Sequence, residues 1–316
     1  MAVPIIDLGT AENSSKQLDA LDHACRDHGF FLLMNHGMDK VIEEMWEVSA
    51  AFFSQSKKDK RRVYRSEDNP LGYFDKELTK RKRDLKEVYD FMEPRTDSKD
   101  FNQWPQDQNK FREISTRFFR SASEVAKKTL DLLYLGYLKG SFNGSALPVG
   151  DRKTSTVRYN FYPMSDPLDP GEIEANPHLG NLALNHHTDP GILTLLVQDM
   201  VGGLQTLSKS RGWIDVPPSK DTIVVNLGDS LQVWTNDNYR AAIHRVLPMG
   251  GSARYSTPYF FNPSRDALLE PLQSFSNTPA LYRSFTWKEY IRGRVEDNFS
   301  DLDEDDIQIA KYRVEP

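Results

Sequence analysis

The chain has 316 residues, 38% hydrophobic and 27% charged, enough for one large domain or two small ones in a water-soluble globular protein. A formal net charge of −6 argues against a general nucleic-acid binder, and no apolar run approaches the roughly 18–20 residues that cross a bilayer. The single cysteine, Cys25, excludes an intramolecular disulfide and suits a reduced, cytoplasmic setting.

The opening "MAVPIIDLG" runs directly into a strand-like segment without the basic flank, apolar core and cleavage site of a secretory signal. Ser14 and Ser15 are placed to cap a helix whose stripe includes Leu18, Leu21 and Cys25, and Gly29 is placed to end it. Cys25 reads as a small core residue there. "FFLLMNHG" follows as a short buried strand with a turn at Gly37, which makes His36 structural. Val41, Met45, Val48 and Phe52 give a second helix one apolar face. The basic runs "KKDKRR" (Lys57 to Arg62) and "KRKRDLK" (Lys80 to Lys86) read as solvated surface, with a lining for an anionic substrate as the alternative. A longer helix starts near Lys110 on Ile114, Phe118, Ala122 and Val125.

Near Thr154 the pattern changes. As far as Pro263 the chain breaks into the strand-like runs "TSTVRYNFYP", "LALNHHTD", "ILTLLVQD", "GLQTL", "WIDV", "TIVVNLGD", "LQVWTN", "RAAIHRVLP" and "RYSTPYFF", separated by Gly, Pro, Asp and Asn turn signals. Many short strands of this kind point to an antiparallel sandwich or barrel. Beyond them "TWKE" (Thr286 to Glu289) has the form of a capping box, and "SDLDEDD" carries the acidic residues that favour a helix start. The expectation is an all-β core flanked by helices from both ends.

The chemistry centres on "LALNHHTDPG". Side chains alternate faces along a strand, so His187 and Asp189 share one side while His186 projects to the other. Two histidines and one carboxylate on one face of a metal, with the opposite positions open, form the ligand set of non-haem iron(II) oxygenases. The chain has seven histidines. His244, in a strand-like run, is a candidate for the third ligand. His178 competes from a loop, where support is less rigid. Arg254 and Ser256 stand at i and i+2 of a later strand, a spacing that lets a guanidinium and a hydroxyl grip one carboxylate. Arg158, Asn160 and Tyr162 share a face of the strand that Pro163 ends.

The set His187-Thr188-Asp189, His244 and Arg254-Tyr255-Ser256, with Asn160-Phe161-Tyr162-Pro163 upstream, resembles the 2-oxoglutarate- and iron(II)-dependent dioxygenases, in particular the isopenicillin N synthase-like branch. "PIIDL", "GFFLLMNHG", "NQWP", "GGLQ" and "NLGD" extend the likeness over nearly the whole chain. The resemblance implies a mainly β fold with flanking helices and a double-stranded β-helix (jelly-roll) core. The expected organisation is a helical N-terminal part over 1–150, the catalytic core over 151–265 and a C-terminal helical segment over 266–316, acting as one unit. It further implies His187, Asp189 and His244 as Fe(II) ligands, and Arg254 and Ser256 on the distal carboxylate of 2-oxoglutarate. Tyr162 would be a further donor and Asn160 would lie near the chelating end. O2 would be the oxidant and ascorbate a stimulant.

The implied activity is oxidation of a C–H bond of a small specialised metabolite by hydroxylation, desaturation or ring closure, with succinate and CO2 as co-products. An Fe(II) oxidase of the same fold without 2-oxoglutarate is the alternative, followed by a non-catalytic module that binds a small acid. Continued alternation puts Phe260 on the inward face as a substrate contact, provided Pro258 introduces no bulge. Tyr73 and Phe91 are further candidates, and Arg158 either meets a substrate carboxylate or buttresses the sheet. The expected partner is a small molecule, with an anion among the options, and neither nucleic acid nor membrane, for a monomeric chain.

Overall fold

Local patterning and packing together produce the observed elements. The computed structural model describes residues 3–66, 68–79, 82–95, 100–106, 109–139, 147–248, 250–276, 278–297 and 309–314. The first part of the chain gives β1 (Ile5–Asp7), α1 (Ser15–Asp27), β2 (Phe30–Met34), α2 (Asp39–Phe53) and α3 (Lys57–Lys60). Then come β3 (Gly72–Phe74), β4 (Leu78–Thr79), β5 (Lys82–Arg83), β6 (Glu87–Met92) and α4 (Asn109–Leu138). The next stretch holds β7 (Thr156–Tyr162), α5 (Pro170–Glu174), β8 (Leu184–His187), β9 (Leu193–Gln198), β10 (Leu204–Ser208) and β11 (Gly212–Asp215). The chain continues through β12 (Thr222–Leu227), α6 (Asp229–Trp234), β13 (His244–Val246), β14 (Arg254–Phe261) and α7 (Trp287–Asp297).

Among the described residues, an eight-stranded sheet runs in the order β1-β2-β12-β9-β14-β7-β6-β3, and a four-stranded sheet in the order β11-β10-β13-β8. All pairings in these two sheets are antiparallel except β1 with β2. The small sheet packs on one face of the large one and closes the jelly roll. Phe30, Leu32, Val224 and Tyr162 of the large sheet meet Ala183, Leu204 and Val246 of the small one in a dry cluster. The opposite face of the large sheet is covered by α1, α2 and α4.

The helices form where their stripes say they should. Ser14 caps α1 by accepting the Gln17 N–H, and Gly29 ends it at φ +67°, a left-handed turn that favours glycine. Met45, Val48 and Phe52 are buried along α2, and Ile114, Phe118, Ala122 and Val125 along α4. A fully buried phenylalanine of this kind contributes about 1.5–3 kcal/mol of hydrophobic transfer energy. Thr286 accepts the Glu289 N–H at 3.2 Å and so opens α7.

Several expectations need correction. "LQVWTN" contributes most of the helix α6 and not a strand: Gly228 is extended at its N-cap, and Asp229 and Ser230 are buried along with Leu231, Val233 and Trp234, so no face is left fully exposed. The first 150 residues are also more than helical cover, because β1, β2, β3 and β6 belong to the large sheet. Nor are the basic runs merely solvated. Lys60 is buried on Glu87, Arg83 on Asp166 and Lys86 on Asp84, while Lys80 and Arg81 lie outside the described residues. The acidic cluster in "SDLDEDD" also lies outside them.

Candidate metal centre

His187 and His244 are direct cross-strand partners in the small sheet, with ring centroids 4.2 Å apart. Each imidazole is aimed by a main-chain carbonyl two residues upstream. Asn185 O accepts from His187 Nδ1 at 2.8 Å, and Ala242 O accepts from His244 Nδ1 at 2.8 Å. A carbonyl only accepts, so the proton sits on Nδ1 and the Nε2 lone pair is left for a ligand. Asp189 lies just past the end of β8. Its Oδ2 accepts from Thr194 Oγ1 at 2.6 Å and from Asn226 Nδ2 at 2.8 Å. Its Oδ1 then stands 3.7 Å from His187 Nε2 and 4.0 Å from His244 Nε2. Among the described residues, these three supply ligand atoms that all lie within 4.8 Å of one another.

The electrostatics suit a cation. Burial and the neighbouring His244 push protonation of His187 to well below the usual imidazole range, although Asp189 opposes this. Burial alone would raise the Asp189 carboxyl. The two imidazoles and the hydrogen bonds from Thr194 and Asn226 hold it below the usual carboxylate range. Two neutral nitrogens and one carboxylate oxygen, gathered on one side, are the donor set that fits iron(II) with open positions.

The main chain behind Asp189 is tightly drawn. Asp189 O accepts the Asp229 N–H at 2.8 Å, and Gly191 O accepts the Ser230 N–H at 3.0 Å. A Cβ on Gly228 would fall 2.2 Å from Gly191 O and 2.9 Å from Asp189 O, and one on Gly191 would fall 2.3 Å from Asn262 Oδ1. Thr188 and Tyr290 both donate to Asp229 Oδ2, at 3.2 and 2.5 Å, which ties α7 to the ligand-bearing loop.

A second polar group lies on the same side of the large sheet. Arg254 is buried, with Nη1 donating to Ser256 Oγ at 3.1 Å and Nη2 to Gln198 Oε1 at 3.3 Å. Its guanidinium stands 5.0 Å from the centre of the Tyr162 ring, and Asn160 Nδ2 donates to Ser256 Oγ at 3.4 Å. The buried Nε has no hydrogen-bond partner, and no carboxylate pairs with Arg254, among the described residues. A buried guanidinium without a counter-ion is costly. An occupant that brings a carboxylate relieves that cost, which is the fit expected for the far end of a keto diacid.

The structure separates the remaining candidates. β14 runs without a bulge, so Phe260 faces inward opposite Thr156 and Thr194. Tyr73 and Phe91 do not face inward. Both are buried among the aromatic residues beneath α2 and α4, and it is Phe74, the next residue along, that turns to the inner face. Arg158 is on the inner face but is gripped by Asp90 and Glu77. His178 is exposed and away from the cluster, with its carbonyl accepting the Arg83 N–H. His186 is exposed on the far side near Trp213. Sequence reasoning missed Thr194, Asn226 and Gln198. Their signal was a pair of polar residues four positions apart in an otherwise apolar strand, Thr194 and Gln198 in β9 and Thr222 and Asn226 in β12.

Comparison with known proteins agrees with this arrangement. Residues 153–263 match the model of the 2OG-Fe(II) oxygenase superfamily, and residues 3–107 match that of the non-haem dioxygenase in morphine synthesis N-terminal region. Gibberellin 2-beta-dioxygenase 4 of Arabidopsis thaliana is 32% identical over 310 residues, covering 95% of this chain and 94% of its own. 1-Aminocyclopropane-1-carboxylate oxidase 4 of Solanum lycopersicum is 32% identical over 300 residues, covering 92% and 88%. A full-length Neurospora crassa protein crystallised with alpha-KG (2-oxoglutarate) and thymine superposes with a TM-score of 0.75 at 26% identity, covering 93% of this chain and 96% of its own.

Proposed function

This chain belongs to the 2OG-Fe(II) oxygenase superfamily, and we propose that it oxidises a C–H bond of a small specialised metabolite, releasing succinate and CO2 from 2-oxoglutarate. It is a 2-oxoglutarate-dependent dioxygenase that uses Fe(II) and O2, and homologues of the family act on small metabolites and hormones. Hydroxylation, desaturation and ring closure differ only in where the substrate is held once hydrogen has been removed.

In this reading His187, Asp189 and His244 hold the metal and Arg254 with Ser256 binds the far carboxylate of 2-oxoglutarate. Tyr162 adds a donor, and Asn160 lies toward the chelating end. Bound iron(II) supplies oxygen activation and the oxidising power for C–H cleavage. The protein's own part is orientation and exclusion of water. The Nδ1 hydrogen bonds fix both imidazoles, Thr194 and Asn226 fix the carboxylate, and the inter-sheet cluster keeps the floor dry. The observation that carries the proposal is the buried, uncompensated Arg254 on the inner face of the large sheet, the face toward which the small sheet turns His187 and His244 to converge with Asp189.

The reading extends to a cytoplasmic monomer. Cys25 is buried and unpaired, and no helix of the described residues is long and apolar enough to cross a membrane. The test combines protein, iron(II), ascorbate and 2-oxoglutarate with candidate metabolites and measures succinate and product mass. A gain of one oxygen indicates hydroxylation, and a loss of two hydrogens indicates desaturation or cyclisation. His187→Ala and Asp189→Ala should each abolish metal binding. Turnover that persists without any keto acid would replace this reading with that of an Fe(II) oxidase. Absence of both succinate and metal-dependent 2-oxoglutarate binding would end it.

A further inference from the structure

The inner face continues past the metal ligands into a buried ionic wall. Arg158 stands on β7 two residues before Asn160, between Asp90 of β6 and Pro258 of β14. Its Nε and Nη2 donate to the two oxygens of Asp90 at 2.7 Å each. Nη1 donates to Glu77 Oε2 at 3.0 Å, and Nη2 reaches Glu77 Oε1 at 3.5 Å. Arg65 and Lys86 hold the same carboxylates from behind, Arg65 on Glu77 and Asp90 and Lys86 3.8 Å from Glu77.

Within this wall one side chain presents surface. The Arg158 side chain is 20% exposed, against 4% for Glu77, Arg65 and Lys86 and 6% for Asp90. A guanidinium has five N–H donors in a planar fork. Asp90 and Glu77 take four of them, and the one left is on Nη1. A carboxylate is bound well by two parallel N–H groups, and no such pair is left. An incoming carboxylate would also lie beside Glu77 and Asp90, the two negative groups nearest to that donor. A neutral oxygen needs one donor and suffers no such repulsion. Phe74 and Phe260, both half-buried, line the same face and offer apolar contact for the rest of a substrate.

We propose that Arg158 is a specificity-determining residue whose one remaining N–H donates to a neutral carbonyl or hydroxyl oxygen of the substrate, and that the Asp90–Glu77 grip excludes a substrate carboxylate from this position. The inference rests on the oxygenase reading above and narrows its substrate class to molecules that are uncharged at the end meeting β7. Specificity here is a difference in affinity between two ligands of the same shape.

The experiment uses matched pairs on one skeleton: indole-3-acetamide against indole-3-acetic acid, and cinnamamide against cinnamic acid. Each is titrated calorimetrically into the full chain loaded with manganese(II) and 2-oxoglutarate. The expected result is at least tenfold tighter binding of the amides. Asp90→Asn, checked for folding by circular dichroism, should loosen the grip and narrow that preference by about tenfold, the acids gaining relative to the amides. Wild-type protein that binds no amide, or binds the acids as tightly or more tightly, overturns the proposal without any variant. A preference left unchanged in folded Asp90→Asn also overturns it. Succinate formed from 2-oxoglutarate without substrate reports separately on the oxygenase reading. If succinate forms while the preference runs the other way, this inference fails alone.

Discussion

The two faces of the large sheet are built from the same strands and do opposite work. On β14, Tyr255, Thr257, Tyr259 and Phe261 turn toward the helices, while Arg254, Ser256, Pro258 and Phe260 turn toward the cavity. The outer face is an aromatic mosaic. Tyr259 meets Phe119 edge-on at 5.2 Å, Phe161 lies 4.8 Å from Tyr255, and the buried hydroxyls of Ser115 and Tyr159 are paired at 2.8 Å. The inner face carries Arg254, Arg158, Asp90, Asn160, Asn226 and Thr194, polar groups that an isolated core would not tolerate. The comparison teaches a division of labour: rigidity comes from the outer face, which leaves the inner one able to hold ligand atoms in fixed places.

That division can be broken from either side. The largest effect should come from Phe119→Ala on the outer face, a loss of about 3–5 kcal/mol in denaturant unfolding. Manganese(II) affinity of the folded protein should stay unchanged, and a parallel loss of affinity would show that the faces are not separable. Thr194→Val on the inner face should do the converse. It removes the 2.6 Å hydrogen bond to Asp189 while keeping the shape, so metal affinity should fall about 10- to 100-fold with little change in stability. A calorimetric titration and a melting curve on the same sample decide it.

The smallest effect sharpens the contrast through pH. Burial would raise the Glu77 carboxyl, but Arg158, Arg65 and Lys86 override it and hold the group far below the usual carboxylate range. A group depressed in the folded state stabilises fully above its unfolded range and loses that contribution as pH falls. Wild-type protein should therefore lose stability progressively below about pH 5, and Glu77→Gln should show a shallower decline. Equal slopes in the two proteins would mean that the ionic wall is not what acid dissolves.

Much of this was readable in the chain because it is local. The stripe Met45, Val48, Phe52 and the alternation Arg254, Ser256, Phe260 each depend on a few neighbouring residues. His187 and Asp189 were paired by the same alternation, and His244 by the chemistry of a third ligand. What escaped depends on partners far along the sequence. Arg158 meets Asp90 at a separation of 68 residues and Glu77 at 81, so its grip has no local signature. Tyr73 sits opposite Tyr89, and that register, not composition, sends it to the outer face. The helix α6 was hidden because a short segment buried all round has no period to display.

The close-packed main chain behind Asp189 sets where this pocket can change. Gly191 and Gly228 have no room for even a methyl group, so variation there would displace the ligand loop before it altered any substrate contact. Phe260 carries no such constraint, since it is a half-buried side chain on the inner face. New substrate preferences, whether reached by drift or by laboratory evolution, would accumulate at that aromatic while the close-packed glycines behind the ligands stayed frozen.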